Sequence, residues 1–382
     1  MTRTFSSKQP RRKAARSVKS RARVETLGTV KDGQRLGGTE YPSFSARNRE
    51  HQPKMVGVFC FQWEVKGFGL SLILYFIDFL IISRYNKLRN ERSDILNAKV
   101  YFSKIITPEK VVELYKAVGK DLTGNVAIKV HSGEKGNQNF LTPEFWRPII
   151  EHVGGTVVEC NTAYEGERDT TEKHRKLMTD HGWDRYFMVD ILDSEGPDLK
   201  LDIPNGKIIK ENFVGKNISK YDSMLVLSHF KGHPMGGFGG AVKQISIGTA
   251  SSYGKKIIHG AGQTEDYWNT EHDLFLESMA DAASSIVKFF NKNLVYINVM
   301  KNMSVDCDCC AIAEDPCIAD IGILASDDPI AVDKACIDLV YSCSDPGRPH
   351  LIERIESRNG AHTLDAAAEL GFGSLDYELI EI

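Results

Sequence analysis

No stretch of the 382 residues reaches the roughly 20 consecutive apolar positions that a bilayer-spanning helix requires. The nearest candidate, residues 68–82, is shorter and carries Asp78 near its middle, so a membrane partner is not expected. It also lies too far along the chain for a secretory signal. Several catalytic signatures are missing as well. No Gly-Lys-Ser/Thr follows a glycine loop at P-loop spacing, and no Gly-x-Gly-x-x-Gly with a later acidic residue marks a dinucleotide site. Nucleophile-elbow, kinase and His-Glu-x-x-His patterns are absent too.

Charge is short on one side of the chain. Residues 1–54 hold 14 Lys/Arg against 4 Asp/Glu, which leaves 34 against 47 for the rest. An acidic body argues against nucleic acid as a partner. The basic head is Ser-rich and lacks apolar periodicity, so disorder is expected there. Residues 1–97 read as an extension, expected to precede the true start of the protein. Residues 98–382 read as a single α/β domain.

From residue 98 onward, strand-like and helix-like signals alternate. Residues 125–131 and 156–160 are β-prone, and Thr142-Pro143 and Thr170 open helices that close at Gly154 and near Gly182. A Pro204-Asn205-Gly206 turn joins two β-prone pieces as a hairpin. The near-continuous apolar runs 222–230 and 294–300 predict strands buried on both faces. Helices are expected at 273–290, 330–341 and 364–370, and a last strand at 377–382. The fold class that follows is α/β: a mostly parallel sheet with helices on both faces and an added β-hairpin.

Residues 228–248 directly follow the first of those apolar strands and pack two His, two Lys and six Gly into 21 residues. In a parallel sheet, ligands bind beyond the carboxyl ends of strands. His229, Lys231 and His233 alternate, so on an extended chain they point one way and can ligate a metal, move protons or hold an anion. Gly236, Gly237, Gly239 and Gly240 would let backbone N–H groups reach a ligand oxygen near a helix start, with Lys243 on the first turn. The bland alternative is a tight strand-to-helix turn with incidental histidines.

Four of the eight cysteines (Cys307, Cys309, Cys310 and Cys317) fall within 11 residues, just beyond the strand at 294–300. Such clustering in a long chain points to metal or redox chemistry in a reducing compartment rather than to a disulfide framework. Cys307 and Cys309 can chelate one ion from an extended segment, whereas all four thiolates on one metal need a bent loop. The spacing matches neither a ferredoxin nor a zinc ribbon. Metal or cluster binding, redox-active thiols and plain packing stay open. If the two motifs meet, Cys307 and Cys309 with His229 and His233 form a Cys₂His₂ set. Cys60, Cys160, Cys336 and Cys343 read as packing thiols. Lys129, Glu134, Glu165 and Arg168 also stand at or near strand ends and are candidate substrate contacts, with an ordinary rim position the plainer role of each. Tyr267 and Trp268 are candidates to stack on a ligand, with packing the plainer role.

The residues Ser228-His-Phe-Lys-Gly-His233, Gly237-Phe-Gly-Gly-Ala-Val-Lys-Gln-Ile245, Asp306-Cys-Asp-Cys309 and Asp320 to Asp333 resemble the family called domain of unknown function 362, over roughly residues 98–382. Many members of that family carry a ferredoxin-type iron–sulfur insertion, and this chain has no Cys-x-x-Cys-x-x-Cys. The glycine loop is also loosely similar to the Gly-Phe-Ser-Gly-Gly-Arg-Lys segment of nickel-pincer lactate racemases. Together these readings imply a metal- or iron–sulfur-dependent protein, with zinc, iron, nickel or a cluster as cofactor. The expected activity is that of a cytoplasmic redox enzyme on a small anionic molecule, with an electron-transfer protein as a candidate partner. The alternative is a non-catalytic metal-binding or accessory protein.

Overall fold

The computed structural model describes residues 98–196 and 198–382. The basic head, the apolar run at 68–82 and Cys60 lie outside the described residues.

Twelve strands form in chain order: β1 (Ala98–Ser103), β2 (Val126–Lys129), β3 (Thr156–Glu159), β4 (Val189–Ile191), β5 (Leu199–Asp202), β6 (Glu211–Val214), β7 (Ser223–His229), β8 (Lys231–His233), β9 (Gly237–Gly239), β10 (Leu294–Met300), β11 (Gly322–Ser326) and β12 (Tyr377–Glu381). The helices are α1 (Pro108–Val118), α2 (Pro143–Val153), α3 (Thr171–Asp180), α4 (Ala241–Ile245), α5 (Ser252–His259), α6 (His272–Phe289), α7 (Pro329–Ser342), α8 (Arg348–Ser357) and α9 (His362–Glu369).

Eight strands make the central sheet, in the order β12-β1-β11-β10-β7-β2-β3-β4. Pairing is parallel except where β11 runs against β1 and β10. β5 and β6 form the expected separate hairpin around Pro204-Asn205-Gly206, with Leu199 opposite Val214.

Every residue of β7 and β10 is buried, as their unbroken apolar runs require. Met224 and Val226 face one core with α4, α6 and α7, while Leu225 and Leu227 face a second core with α1 and α2. Helices therefore cover both faces. A third, smaller cluster joins the hairpin to α5 and α6 through Ile203, Ile209, Ile257 and Phe275.

Chain direction places the site. From β2 the chain steps through β3 to β4 on one side, and then returns to lay β7 on the other side of β2. The connection between β2 and β3 packs on one face of the sheet, and the connection between β7 and β10 packs on the opposite face. Such a reversal opens a crevice at the carboxyl ends of the strands. Here that crevice lies between His131, just past β2, and His229, at the end of β7.

Local signals explain most helix starts. The Thr107 and Thr170 hydroxyls accept from Lys110 N and Lys173 N, and Asp328 accepts from Ile330 N and Ala331 N. Thr142 differs: it makes no side-chain cap bond, and Pro143 alone starts α2. Among the described residues no helix is long and apolar enough to cross a membrane.

The glycine-rich segment is not a loop. β8 and β9 form a small antiparallel ribbon, with Lys231 opposite Gly239 and His233 opposite Gly237. Its glycines permit close approach of the protein's own chain. Gly237 has φ +77°, and a Cβ there would sit 2.8 Å from the Gly360 Cα. At Gly240 a Cβ would lie 2.3 Å from the Asp333 carboxylate, which accepts from Ala241 N (2.7 Å) and Val242 N (2.9 Å). Gly240→Ala is therefore expected to displace that carboxylate and orphan both amides, a loss of roughly 3 kcal/mol. Urea unfolding checks it; a loss below about 1 kcal/mol would show that Asp333 can move at little cost.

Candidate functional site

The histidine-rich ribbon and the thiol-rich segment meet at one rim of the sheet. Gly232 N donates to Ser304 O at 2.8 Å, and a Cβ on Gly232 would lie 2.3 Å from the Val305 carbonyl oxygen. On the other side Glu134 N donates to Asp308 O at 2.7 Å. The segment that follows β10 is thus clamped between the β2 and β7 connections. Cys310 N donates to Cys307 O at 2.9 Å, so a tight turn replaces the extended segment expected from the sequence.

That turn brings His233, Cys307 and Cys309 together, their ligand atoms all within 4.8 Å of one another. Two donors on one ion stand at most about 4.6 Å apart when each metal–sulfur bond is about 2.3 Å, so small shifts suffice to close the set. Cys307 is buried and Cys309 half-buried. The Cys307 contact draws the Cys309 pKa down, but the hydrogen bond with Cys310 and burial prevail and raise it. The same bond from Cys309 lowers Cys310 against burial. Cys317 does not join: its thiol turns to Met303 O at 3.5 Å. A four-thiolate cluster of these residues therefore lacks its fourth ligand.

Two imidazoles flank the thiols in the same way. His233 Nδ1 accepts from Met235 N (3.1 Å) and Gly236 N (2.9 Å), and His131 Nδ1 accepts from Gly133 N (3.1 Å). Each ring is pinned to its own turn, and the neutral tautomer carries its proton on Nε2. His233 Nε2 lies 3.9 Å from Cys309 Sγ. Burial, with Lys243 adding to it, pushes His233 down to about 4, and burial also lowers His131. In this state His233 donates N–H to sulfur. It becomes a ligand only by giving up the Nε2 proton. His131 closes the β-prone run 125–131, and nothing in its local sequence marks it as a neighbour of the thiols.

His229 and Lys231 depart from the expected ligand and catalytic roles. His229 Nδ1 bonds Asp308 at 2.9 Å and its Nε2 bonds Lys301 O at 2.6 Å, so neither nitrogen is left for a metal. Lys231 Nζ donates to Asp308 at 2.8 Å and is buried with it. Burial works to lower the Lys231 pKa, but Asp308, together with the Cys307 and Cys309 thiols, outweighs it and raises it. The alternation of Cys307, Asp308 and Cys309 thus sends the thiols to one side and their intervening carboxylate to the other. There it anchors the strand end through an ion pair.

The glycines depart as well. Gly236 N is spent on His233, Gly237 packs on Gly360, Gly239 on the Lys231 stem and Gly240 on Asp333. The start of α4, expected to hold an anion, is already filled by the Asp333 carboxylate. Gly239 and Gly240 line a small cavity of ≈ 20 Å³ with His229, Lys231 and Cys307, and Lys243 is the member of that group that also lines a larger one.

That space is a cavity of ≈ 200 Å³ beside Cys309 and His233. Lys129, Arg168, Lys243, Lys255 and a single carboxylate, Glu159, supply its charged wall. Lys129 Nζ bonds Glu159 at 2.7 Å, and Arg168 Nε bonds Glu134 at 3.1 Å. Glu159 also accepts from Ser132 N at 2.8 Å. Burial alone would raise the Glu159 pKa, but Lys129, then His131 and His174, hold it well below the carboxylate range. Trp268 also lines the cavity. It leans on His259 at 4.8 Å between ring centres, which combines the packing and ligand-facing positions foreseen for it. Glu165 is not among the cavity-lining residues. Glu159, Lys255 and His259 escaped the sequence reading. The one signal was a lone charge, Glu159, closing the otherwise apolar run of β3. All seven described cysteines are free, and Cys160 and Cys336 are buried as packing thiols.

Among solved structures, the lactate racemase apoprotein from Thermoanaerobacterium thermosaccharolyticum aligns at 15% identity and TM-score 0.35, covering 54% of this chain and 51% of that one. A Thermotoga maritima protein aligns at 12% identity and TM-score 0.34, covering 69% and 59%. The chain thus spans between half and three-fifths of the length of each, and likeness at this level says nothing of shared chemistry. No curated protein matches the chain. The model of one family, described as a domain of unknown function (DUF362), matches residues 126–338. That span exceeds half of the 382 residues and holds both the histidine ribbon and the thiol turn, so the chain belongs to the domain of unknown function 362 family.

Proposed function

We propose that this chain is a metal-dependent redox enzyme that acts on a small anionic molecule bound beside Cys309. One observation carries the reading. A thiol–thiol–imidazole group within 4.8 Å stands at the wall of a cavity whose charged lining is mainly cationic. Thiolates are soft ligands suited to zinc, nickel or iron, and Cys307 and Cys309 would hold one ion, with His233 as third ligand once it sheds its Nε2 proton. His131 would steady the Cys307 sulfur by its N–H. With Cys317 turned away, a single ion fits this donor set better than an iron–sulfur cluster. A metal carrier needs exposed thiols for handover, and Cys307 is 1% exposed.

Protein purified without oxygen and dialysed against zinc, nickel or ferrous iron tests it by elemental analysis. The wild type should retain one ion per chain. Cys307→Ser with Cys309→Ser should retain none while keeping its circular dichroism spectrum. Stoichiometric metal in that double variant, or none in the wild type, overturns the assignment.

A further inference from the structure

Lys243 and Lys255 approach the same cavity from two different helices, α4 and α5. Among the described residues neither has a carboxylate within ion-pair distance. Among the described residues the Lys243 side chain makes no hydrogen bond, and Lys255 Nζ bonds only the Ala250 carbonyl, at 2.5 Å. Lys255 is 7% exposed. A buried ammonium without a counter-charge is costly, and a carbonyl offsets only part of that cost. The other two cations at the wall, Lys129 and Arg168, are already neutralised by Glu159 and Glu134. Lys243 and Lys255 are therefore left without an ion-pair partner among the described residues.

A third feature points at the same place. His259 closes α5 and stacks on Phe275 with ring centres 4.7 Å apart. Its buried Nδ1 finds no hydrogen-bond partner. Burial, with Lys243 and Lys255 adding to it, pushes this ring down to about 3, so it lines the cavity as a neutral imidazole. Met235, Ile247 and Trp268 give the same wall apolar surface. Lys243 also lines the small cavity that Cys307 and His131 line, which puts it at the thiol end, whereas Lys255 is not in that lining and holds the Ala250 carbonyl.

We infer that the cavity takes an organic dianion with an apolar body, one acid group on Lys243 beside the thiols and the other on Lys255. This rests on reading the cavity as the substrate site, and not on the metal. Two charges on separate acid groups match two ammoniums on separate helices, and the apolar wall covers the carbon chain between them.

Thermal unfolding at fixed ionic strength, on metal-stripped wild type and on the Cys307→Ser, Cys309→Ser variant, tests it. The probes are dicarboxylates from oxalate to glutarate, with propionate and inorganic phosphate as comparisons. At least one dicarboxylate should raise Tm and bind with a Kd at least tenfold below that of propionate. Lys243→Met, at a half-buried position, should weaken it tenfold or more, and Lys255→Arg, which keeps the charge, should weaken it less than Lys255→Met. The proposal falls if no dicarboxylate outdoes propionate. It also falls if phosphate outdoes them all, which would mean that both lysines converge on one group, or if Lys243→Met binds like wild type. Because the double variant holds no thiolate site, failure here leaves the metal assignment standing. A wild type without metal leaves this inference standing in turn.

Discussion

Between pH 6.5 and 4.5 the protein is expected to lose stability steeply, at about 3 kcal/mol per pH unit. Three buried histidines drive the loss. Burial pushes His174 down to about 3, His233 to about 4 and His259 to about 3, all from an ordinary value of 6.5. Below pH 6.5 the unfolded chain takes up three protons that the folded chain refuses, so the stability these groups contribute is present above 6.5 and drains as pH falls. Asp333 works the other way. Burial raises it to about 6, so between pH 6 and 4 the folded state holds one proton that the unfolded chain releases. For these four groups the net difference is two protons, and each is worth about 1.4 kcal/mol per pH unit. Against a total of 5–15 kcal/mol, that brings unfolding within reach near pH 4.5. Urea midpoints at pH 7, 6, 5 and 4.5 measure it. His259→Gln removes one of the refused protons and should roughly halve the slope. Equal midpoints at pH 7 and 5 would mean that these rings reach solvent.

The fold was legible wherever burial imposes a repeating pattern. β10 is Leu294–Met300, the run read from its apolar residues, and α6 differs from the expected 273–290 by one residue at each end. The parallel sheet and the hairpin follow from the same patterns. α5 escaped because its neighbours supply the burial, which takes in Lys255 and His259 as well as Ile257 and Ile258, whereas α1 has the same Thr-Pro start and glycine end as α2 and was legible. The site was legible as residue types and not as pairings. The thiols and His233 stand together because Gly232 and Ser304 lock two loops, a contact between positions 72 apart in sequence that no local spacing encodes. The same limit hid Asp308. It reads as one more acidic residue in an Asp-Cys-Asp-Cys motif, yet it takes His229 out of the ligand set and ties up Lys231, a catalytic candidate. Glycine content misled for a related reason. Abundant glycine signals close approach, but whether it is to a ligand or to the protein's own backbone depends on where Gly360 and Asp333 come to lie.

Glu159→Gln is expected to cost about 3–5 kcal/mol, the largest loss of any single substitution at the cavity wall. The reason is the partner left behind. Lys129 is 1% exposed, its ammonium held by Glu159 at 2.7 Å and by its neighbour's carbonyl at 2.5 Å. Burial already lowers the Lys129 pKa even with Glu159 in place. Without that carboxylate the ion has no counter-charge, and folding must either bury it bare or strip its proton. The sign of the pH dependence follows. Lys129 then titrates in the folded state still further below its unfolded value of 10.5, so the penalty is largest near neutral pH and shrinks as pH rises toward 10. Adding Lys129→Met should recover most of the loss. Methionine fills the lysine stem's space, the substituted amide's oxygen can still accept from Ser132 N, and Arg168 keeps Glu134. Urea unfolding of both single variants and the double variant at pH 7 and 9.5 separates the terms. A Glu159→Gln loss below 1 kcal/mol, or one that grows with pH, would mean that Lys129 is neutral in the folded protein. The cavity wall would then carry one cation fewer, beside the same two lysines that await an acid.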